Sequence, residues 1–176
     1  SLIICPNLCR LANGEILTCQ GNNYMVMMDA DSPLFLDTNI LVYASVREAP
    51  EHPQVNQFIK QHLRKGTMLY ISRQVLREYL AVLSRHQSFT SPMSKELLLN
   101  WLAVWRDRCR VLDDTESVMD VLWRLFSEIE FGGKQVHDAN IVATMLNHRL
   151  DTLVTVNNSD FIRFKPHIKL IDPRTS

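Results

Sequence analysis

Four acidic residues stand where a folded chain can turn them to chemistry: Asp37, Glu78, Asp138 and Asp160. Asp37 follows a short apolar run, Leu34-Phe35-Leu36, and precedes Thr38-Asn39 and a second apolar run. An apolar run cut off by Asp-Thr-Asn reads as a buried strand delivering a carboxylate at its C-terminal end, the edge where open parallel sheets bind ligands. The plainer reading is a helix cap, because an Asp side chain accepts from N–H groups of the next turn. Asp160 repeats the pattern after the strand-like stretch 153–156. Glu78 falls among Leu76, Tyr79 and Leu80 in a helical stretch. It is either partly buried, which is costly without a partner, or an ordinary solvent-facing helix acid. Asp138 lies in the first turn of a helix that begins after Gly132-Gly133-Lys134, where a carboxylate is favoured electrostatically in any case. Four acids gathered at one crevice cannot stay ionised cheaply unless a cation neutralises them. Oxygen-only ligands select Mg²⁺ or Mn²⁺ over zinc, and a carboxylate-bound Mg²⁺ characteristically works on phosphates.

The elements that must position these acids emerge from periodicity. Strands are predicted at 34–36, 67–71, 109–112, 153–156 and 168–171. Helices are predicted at 40–46, at 54–64 ending before Gly66, at 73–85 capped by Ser72, and from Ser91-Pro92 to about 106. Another starts at Asp113-Asp114-Thr115-Glu116, with Asp113 and Glu116 at capping-box-like spacing, and carries an apolar stripe of Val118, Val121, Leu122, Leu125, Phe126 and Ile129. Trp101 and Trp105, four residues apart, are adjacent on a helix and read as core or as a dimer contact. Alternating strands and helices over 34–171 predict an α/β fold, a central and mostly parallel sheet flanked by helices on both faces. Right-handed crossovers bring the C-terminal strand ends, and with them the acids, to one edge.

With 176 residues the chain is long enough for one domain with a substantial core. Lys plus Arg and Asp plus Glu number 19 each, so global charge gives no argument for nucleic-acid binding, although a local basic patch can coexist with an acidic metal site. No run is long enough to cross a membrane, and the opening SLIICPNL lacks the basic flank of a signal peptide, so a cytoplasmic location is expected. Residues 1–33 read as an N-terminal extension, with candidate strands at 2–4 and 15–19. The cluster Met25, Met27, Met28 leaves two readings open, a dispensable leader or an ordered arm over a sheet edge or partner. Cys5, Cys9 and Cys19 have no nearby histidine and Cys109 is remote, so free thiols are expected rather than a zinc site.

The stretches FLDTNILVYA around Asp37, RQVLREYL around Glu78, VHDANIVAT around Asp138 and LVTVNNSDF ending in Asp160 together resemble a PIN-domain ribonuclease, most of all the VapC-type toxins of bacterial toxin–antitoxin pairs. The resemblance spans about residues 34–173. It implies a metal-dependent endoribonuclease acting on single-stranded or looped RNA, with Mg²⁺ or Mn²⁺, a protein antitoxin as partner and a homodimeric state. It implies Asp37, Glu78 and Asp138 as core acids and metal ligands. The fourth position falls to Asn157 or Asp160, with Asp160 preferred as the acid. Thr38, Asn39, Thr155 and Asn157 are implied as hydrogen-bonding partners that orient the acids. Lys134 and His137 are either RNA-backbone contacts or ordinary surface residues. Two further functions stay open: a PIN-fold nuclease of RNA processing or DNA metabolism without an antitoxin, and a nucleic-acid-binding module that has lost catalysis.

Overall fold

A computed structural model describes residues 8–10, 16–18 and 32–175. Two short strands, β1 (Leu8–Arg10) and β2 (Ile16–Thr18), pair antiparallel. The second overlaps the predicted strand at 15–19, whereas a strand at 2–4 lies outside the described residues. The remaining strands are β3 (Leu34–Leu36), β4 (Leu69–Ser72), β5 (Arg110–Leu112), β6 (Thr152–Val154) and β7 (Lys169–Ile171). They form one sheet in the order β5-β4-β3-β6-β7, parallel throughout. The central strand explains its own composition. All three residues of β3 are buried, and a strand covered on both faces needs a continuous apolar run rather than an alternating one.

The helices are α1 (Thr38–Ser45), α2 (His52–Arg64), α3 (Arg73–Leu83), α4 (Lys95–Arg108), α5 (Glu116–Glu128), α6 (Gln135–Asn147) and the single turn α7 (Asn158–Phe161). The sheet starts in its middle at β3, builds outward through β4 to β5, then returns to the other side of β3 to add β6 and β7. Right-handed crossovers therefore put α1–α4 on one face and α5–α7 on the other. The packing agrees: α1 contacts α2 and α3, and α5 packs along α6. Strand order reverses between β3 and β6, and such a switch point opens a crevice beyond the C-terminal strand ends.

Several local expectations hold. Ser72 caps α3 by accepting from the Val75 N–H at 3.2 Å. Others need correction. Helix α4 starts at Lys95 under Ser94, whose hydroxyl accepts from Leu97 N–H, so Ser91-Pro92 belongs to the preceding loop. Thr115 occupies the cap position of α5 without a side-chain cap bond, and Asp113 is instead drawn away into an ion pair with Arg73. Trp105 is buried in the core, and half-buried Trp101 stacks on it with ring centroids 6.2 Å apart. Helix α5 buries only Val118, Leu122 and Leu125, a stripe at i, i+4, i+7, and leaves Phe126 60% exposed. Cys109 is a free, buried thiol whose pKa burial pushes up to about 12.

Candidate metal centre at the switch point

Asp37 is the residue immediately beyond β3, and its own N–H is tied to the Val154 carbonyl of β6 at 3.0 Å. The backbone thus fixes the carboxylate at the crevice between the two strands. Three donors then orient it. Thr38 N–H reaches Oδ1 at 2.6 Å, while Asn39 Nδ2 and the Thr155 hydroxyl reach Oδ2 at 2.6 and 2.7 Å. Asn39 also donates to Thr155 Oγ1 at 3.0 Å and accepts from Val156 N–H at 3.2 Å, lacing the start of α1 to the segment after β6. Asp37 is therefore a helix cap and a buried acid at a strand's C-terminal end at once.

Glu78 comes from α3 and is half-buried. Its carboxylate accepts from the Thr38 hydroxyl at 2.7 Å and from Gln74 Nε2 at 2.7 Å. Thr38 therefore holds one acid with its backbone and another with its side chain. Gln74, which lies in the stretch RQVLREYL but has no role assigned to it by the sequence, joins two sides of the site. It is buried, it donates to the His137 carbonyl at 2.8 Å, and it accepts from Asn140 Nδ2 at 2.8 Å. This one amide ties α3, which carries Glu78, to α6, which carries Asp138. The sequence signal for it is spacing: Gln74 is one helical turn before Glu78 and so shares its face.

Asp37, Glu78, Asp138 and Asp160 all line one cleft of about 370 Å³, together with Thr38, Asn39 and Asn157. Asn157 contributes its backbone N–H to Thr155 Oγ1 at 3.0 Å; its side chain is exposed at the cleft. Asp160 projects from α7 and is exposed. Of the two candidates for the fourth position, only Asp160 adds charge. His137 and Lys134 are exposed and do not line the cleft: His137 lines a neighbouring groove that shares Glu78 with it, and Lys134 lines neither. A larger hollow of about 730 Å³ runs along α2, but its lining contains no carboxylate. Size and chemistry thus point to different places, and the acids decide.

Electrostatics mark the cleft. Burial pushes Asp37 up to about 7, against the pull of its Thr155 and Thr38 hydrogen bonds and with repulsion from Glu78 and Asp138. Asp138 is raised to about 6, by burial first and then by the charges of Asp160 and Glu78; His137 and Arg163 act in the opposite direction. None of the four acids is in a salt bridge among the described residues. Among those residues no three His, Cys, Asp or Glu side chains already form an ion cage, so the acids surround the cleft rather than meet across it. The donor set nonetheless fits a hard divalent cation. It is all oxygen, it carries uncompensated negative charge, and its best-held member is buried without a cationic partner.

The PIN domain family profile matches residues 34–165. Ribonuclease VapC24 of Mycobacterium tuberculosis is 27% identical over 144 residues, covering 81% of this chain and 98% of that protein. VapBC2 from Rickettsia felis, crystallised bound to a DNA fragment from its promoter, superposes with a TM-score of 0.60 at 24% identity over 79% of this chain and 97% of the other. A toxin–antitoxin complex from Klebsiella pneumoniae gives 0.56 at 22% identity over 81% and 98%. A profile that begins at β3 and runs through all four acids, on a parallel sheet that reverses order at the first of them, places this chain in the PIN domain family.

Proposed function

We propose that the chain is a metal-dependent endoribonuclease that hydrolyses RNA phosphodiester bonds at the acid cleft, and that it is the toxin of a toxin–antitoxin pair. The observation that carries the catalytic reading is the gathering of Asp37, Glu78, Asp138 and Asp160 around one cleft, with no salt bridge among the described residues to neutralise them. Asp37, Glu78, Asp138 and Asp160 are assigned as the residues that hold Mg²⁺ or Mn²⁺. Such an ion, when bound, polarises a phosphoryl oxygen and makes a water acidic enough to attack. Thr38, Asn39 and Thr155 fix the Asp37 carboxylate, and Thr38 with Gln74 fixes Glu78, so neither acid must be reorganised to receive a cation. Asp138 and Asp160 line the same cleft.

The ribonuclease assignment rests on the name of the M. tuberculosis relative, and the toxin role on the toxin–antitoxin neighbour. An antitoxin partner also suits the surface of α5, which presents Met119, Trp123 and Phe126 to solvent at i, i+4, i+7. A homodimeric state and a cytoplasmic location belong to the same proposal; among the described residues no helix is long and apolar enough to cross a membrane. The test is cleavage of RNA and of DNA of the same sequence with Mn²⁺, with chelator, and with Asp37→Asn or Asp138→Asn. Mn²⁺-dependent RNA cleavage lost in both variants is expected. Equal cleavage of DNA would favour a nuclease of DNA metabolism, and unchanged RNA cleavage in both variants would remove the acid cleft as the site.

A further inference from the structure

The cleft has a stretch of wall that the acids do not use. It is lined by Tyr43 of α1, by Ala81 and Val82 of α3, and by Arg85, Gln87 and Phe89 of the loop after α3. The Tyr43 and Phe89 rings are both half-buried, 5.9 Å apart between centroids and tilted by 57°. Rings tilted at this distance are in contact but not stacked face on face, so the pair by itself leaves ring faces without an aromatic partner. The loop that carries Phe89 is fastened. Gln87 Nε2 donates to the Val82 carbonyl at 2.8 Å, Gln87 N–H donates to the Thr90 carbonyl at 3.0 Å, and Met93 N–H donates to the Leu83 carbonyl at 2.8 Å. Arg85 is exposed at the same wall and makes no salt bridge among the described residues, although the cleft before it is acidic.

We infer that this wall is a nucleobase subsite, in which Tyr43 and Phe89 hold one unpaired base and Arg85 takes a neighbouring phosphate. The inference rests on the nuclease reading of the acids for its orientation and adds the residues that select the strand. Aromatic faces bind any base by stacking, and a base inside a duplex has both its faces covered already. A cleft lined by aromatic and apolar side chains as well as carboxylates thus accepts a single strand, with a base on the rings and the sugar-phosphate toward the acids. The cation at Arg85 offsets the repulsion that the four acids exert on the incoming backbone.

Binding of the full chain to three probes tests the assignment, with Ca²⁺ present to balance the acids: a short single-stranded RNA, the same RNA annealed to its complement, and a strand of equal length without bases. Wild-type protein is expected to prefer the base-bearing single strand. Phe89→Leu, which keeps an apolar anchor for the loop but removes the ring, is expected to weaken that binding about tenfold, the size of one base–aromatic stack, and to leave the baseless strand unaffected. Phe89→Tyr should bind like wild type. Arg85→Gln, at an exposed position, should weaken both single strands alike. Wild-type affinity in Phe89→Leu, an equal loss on the baseless strand, or no measurable binding by wild type each overturns the subsite. Mn²⁺-dependent cleavage by wild type together with unchanged Phe89→Leu binding would overturn the subsite and leave the nuclease reading intact. Ring-dependent binding without cleavage would do the reverse.

Discussion

Asp37 and Glu78 are held by partly shared donors but in different surroundings, and this separates what their substitution should do. Asp37 is buried and raised to about 7. Its folded-state pKa exceeds its unfolded one, so the metal-free native state binds more protons than the unfolded chain over the interval between 3.8 and about 7. Stability therefore falls as pH rises through that window, and Asp138, raised to about 6, adds in the same direction. Melting of metal-free protein is expected at higher temperature at pH 5 than at pH 7. Asp37→Asn should flatten that dependence, and Mn²⁺ at pH 7 should raise the melting temperature of wild type. A melting temperature that rises with pH would contradict the assignment. Glu78→Gln keeps one oxygen to accept from Gln74, turns its NH₂ to the Thr38 hydroxyl, which can accept in its place, and removes the charge. Cleavage should drop at least about tenfold, roughly 1.4 kcal/mol in the barrier, with melting almost unchanged. A wild-type rate across a Mn²⁺ titration would take Glu78 out of the site.

At the scale of elements, the site depends on how α3 and α6 are registered across the sheet edge, and one side chain sets much of that register. Gln74 uses its amide on Glu78, on the His137 carbonyl and on Asn140. Gln74→Leu preserves size and helix propensity but removes three hydrogen bonds, leaving Glu78 to Thr38 and Asn140 to Asp114. The expected cost is about 1–3 kcal/mol, the range for leaving a buried polar group unsatisfied. Activity should fall further than stability explains, because Glu78 and Asp138 lose their mutual positioning. Denaturant unfolding beside cleavage kinetics checks this, and an active, fully stable Gln74→Leu protein would show that the amide only fills space. Asn140 also reaches Asp114 Oδ2 at 3.2 Å, so α6 is tied to the loop before α5 through the same group.

For the molecule as a whole, the five-stranded sheet and the acid cleft lie within residues 34–171, and the family profile begins at residue 34. We therefore propose residues 1–33 as an extension to a nuclease domain spanning 34–173. A chain beginning at Met28 is expected to fold, to melt near the full-length temperature and to keep its cleavage rate. Circular dichroism melting and the RNA assay run side by side decide this. An insoluble or inactive product would assign the extension to the structure of the domain, for instance as cover for a sheet edge.

Much of this protein is legible along the chain because the relevant physics is local. The run Leu34-Phe35-Leu36 must be buried, Asp37 must end it, and Ser72 must cap the helix that begins at Arg73, whatever else the fold does. The alternation of strand and helix likewise fixes the class, and the motif order carries the resemblance. What the chain order cannot give is the strand order. Asp37 and Thr155 are 118 residues apart, and their 2.7 Å hydrogen bond exists because β6 returns to the free side of β3. The same holds for Glu78, whose local sequence suits a solvent-facing helix acid as well as a site residue, until Thr38 and Gln74 are brought against it. It holds again for Asp113, which a local rule makes a cap and a distant Arg73 makes an ion pair. Where capping and burial are settled within a few residues by backbone geometry and hydration, as at Ser72 and in Leu34–Leu36, the sequence determines them. The cleft is a meeting of elements remote along the chain, and only the tertiary fold, by reversing the strand order at β3, decides which acids share it.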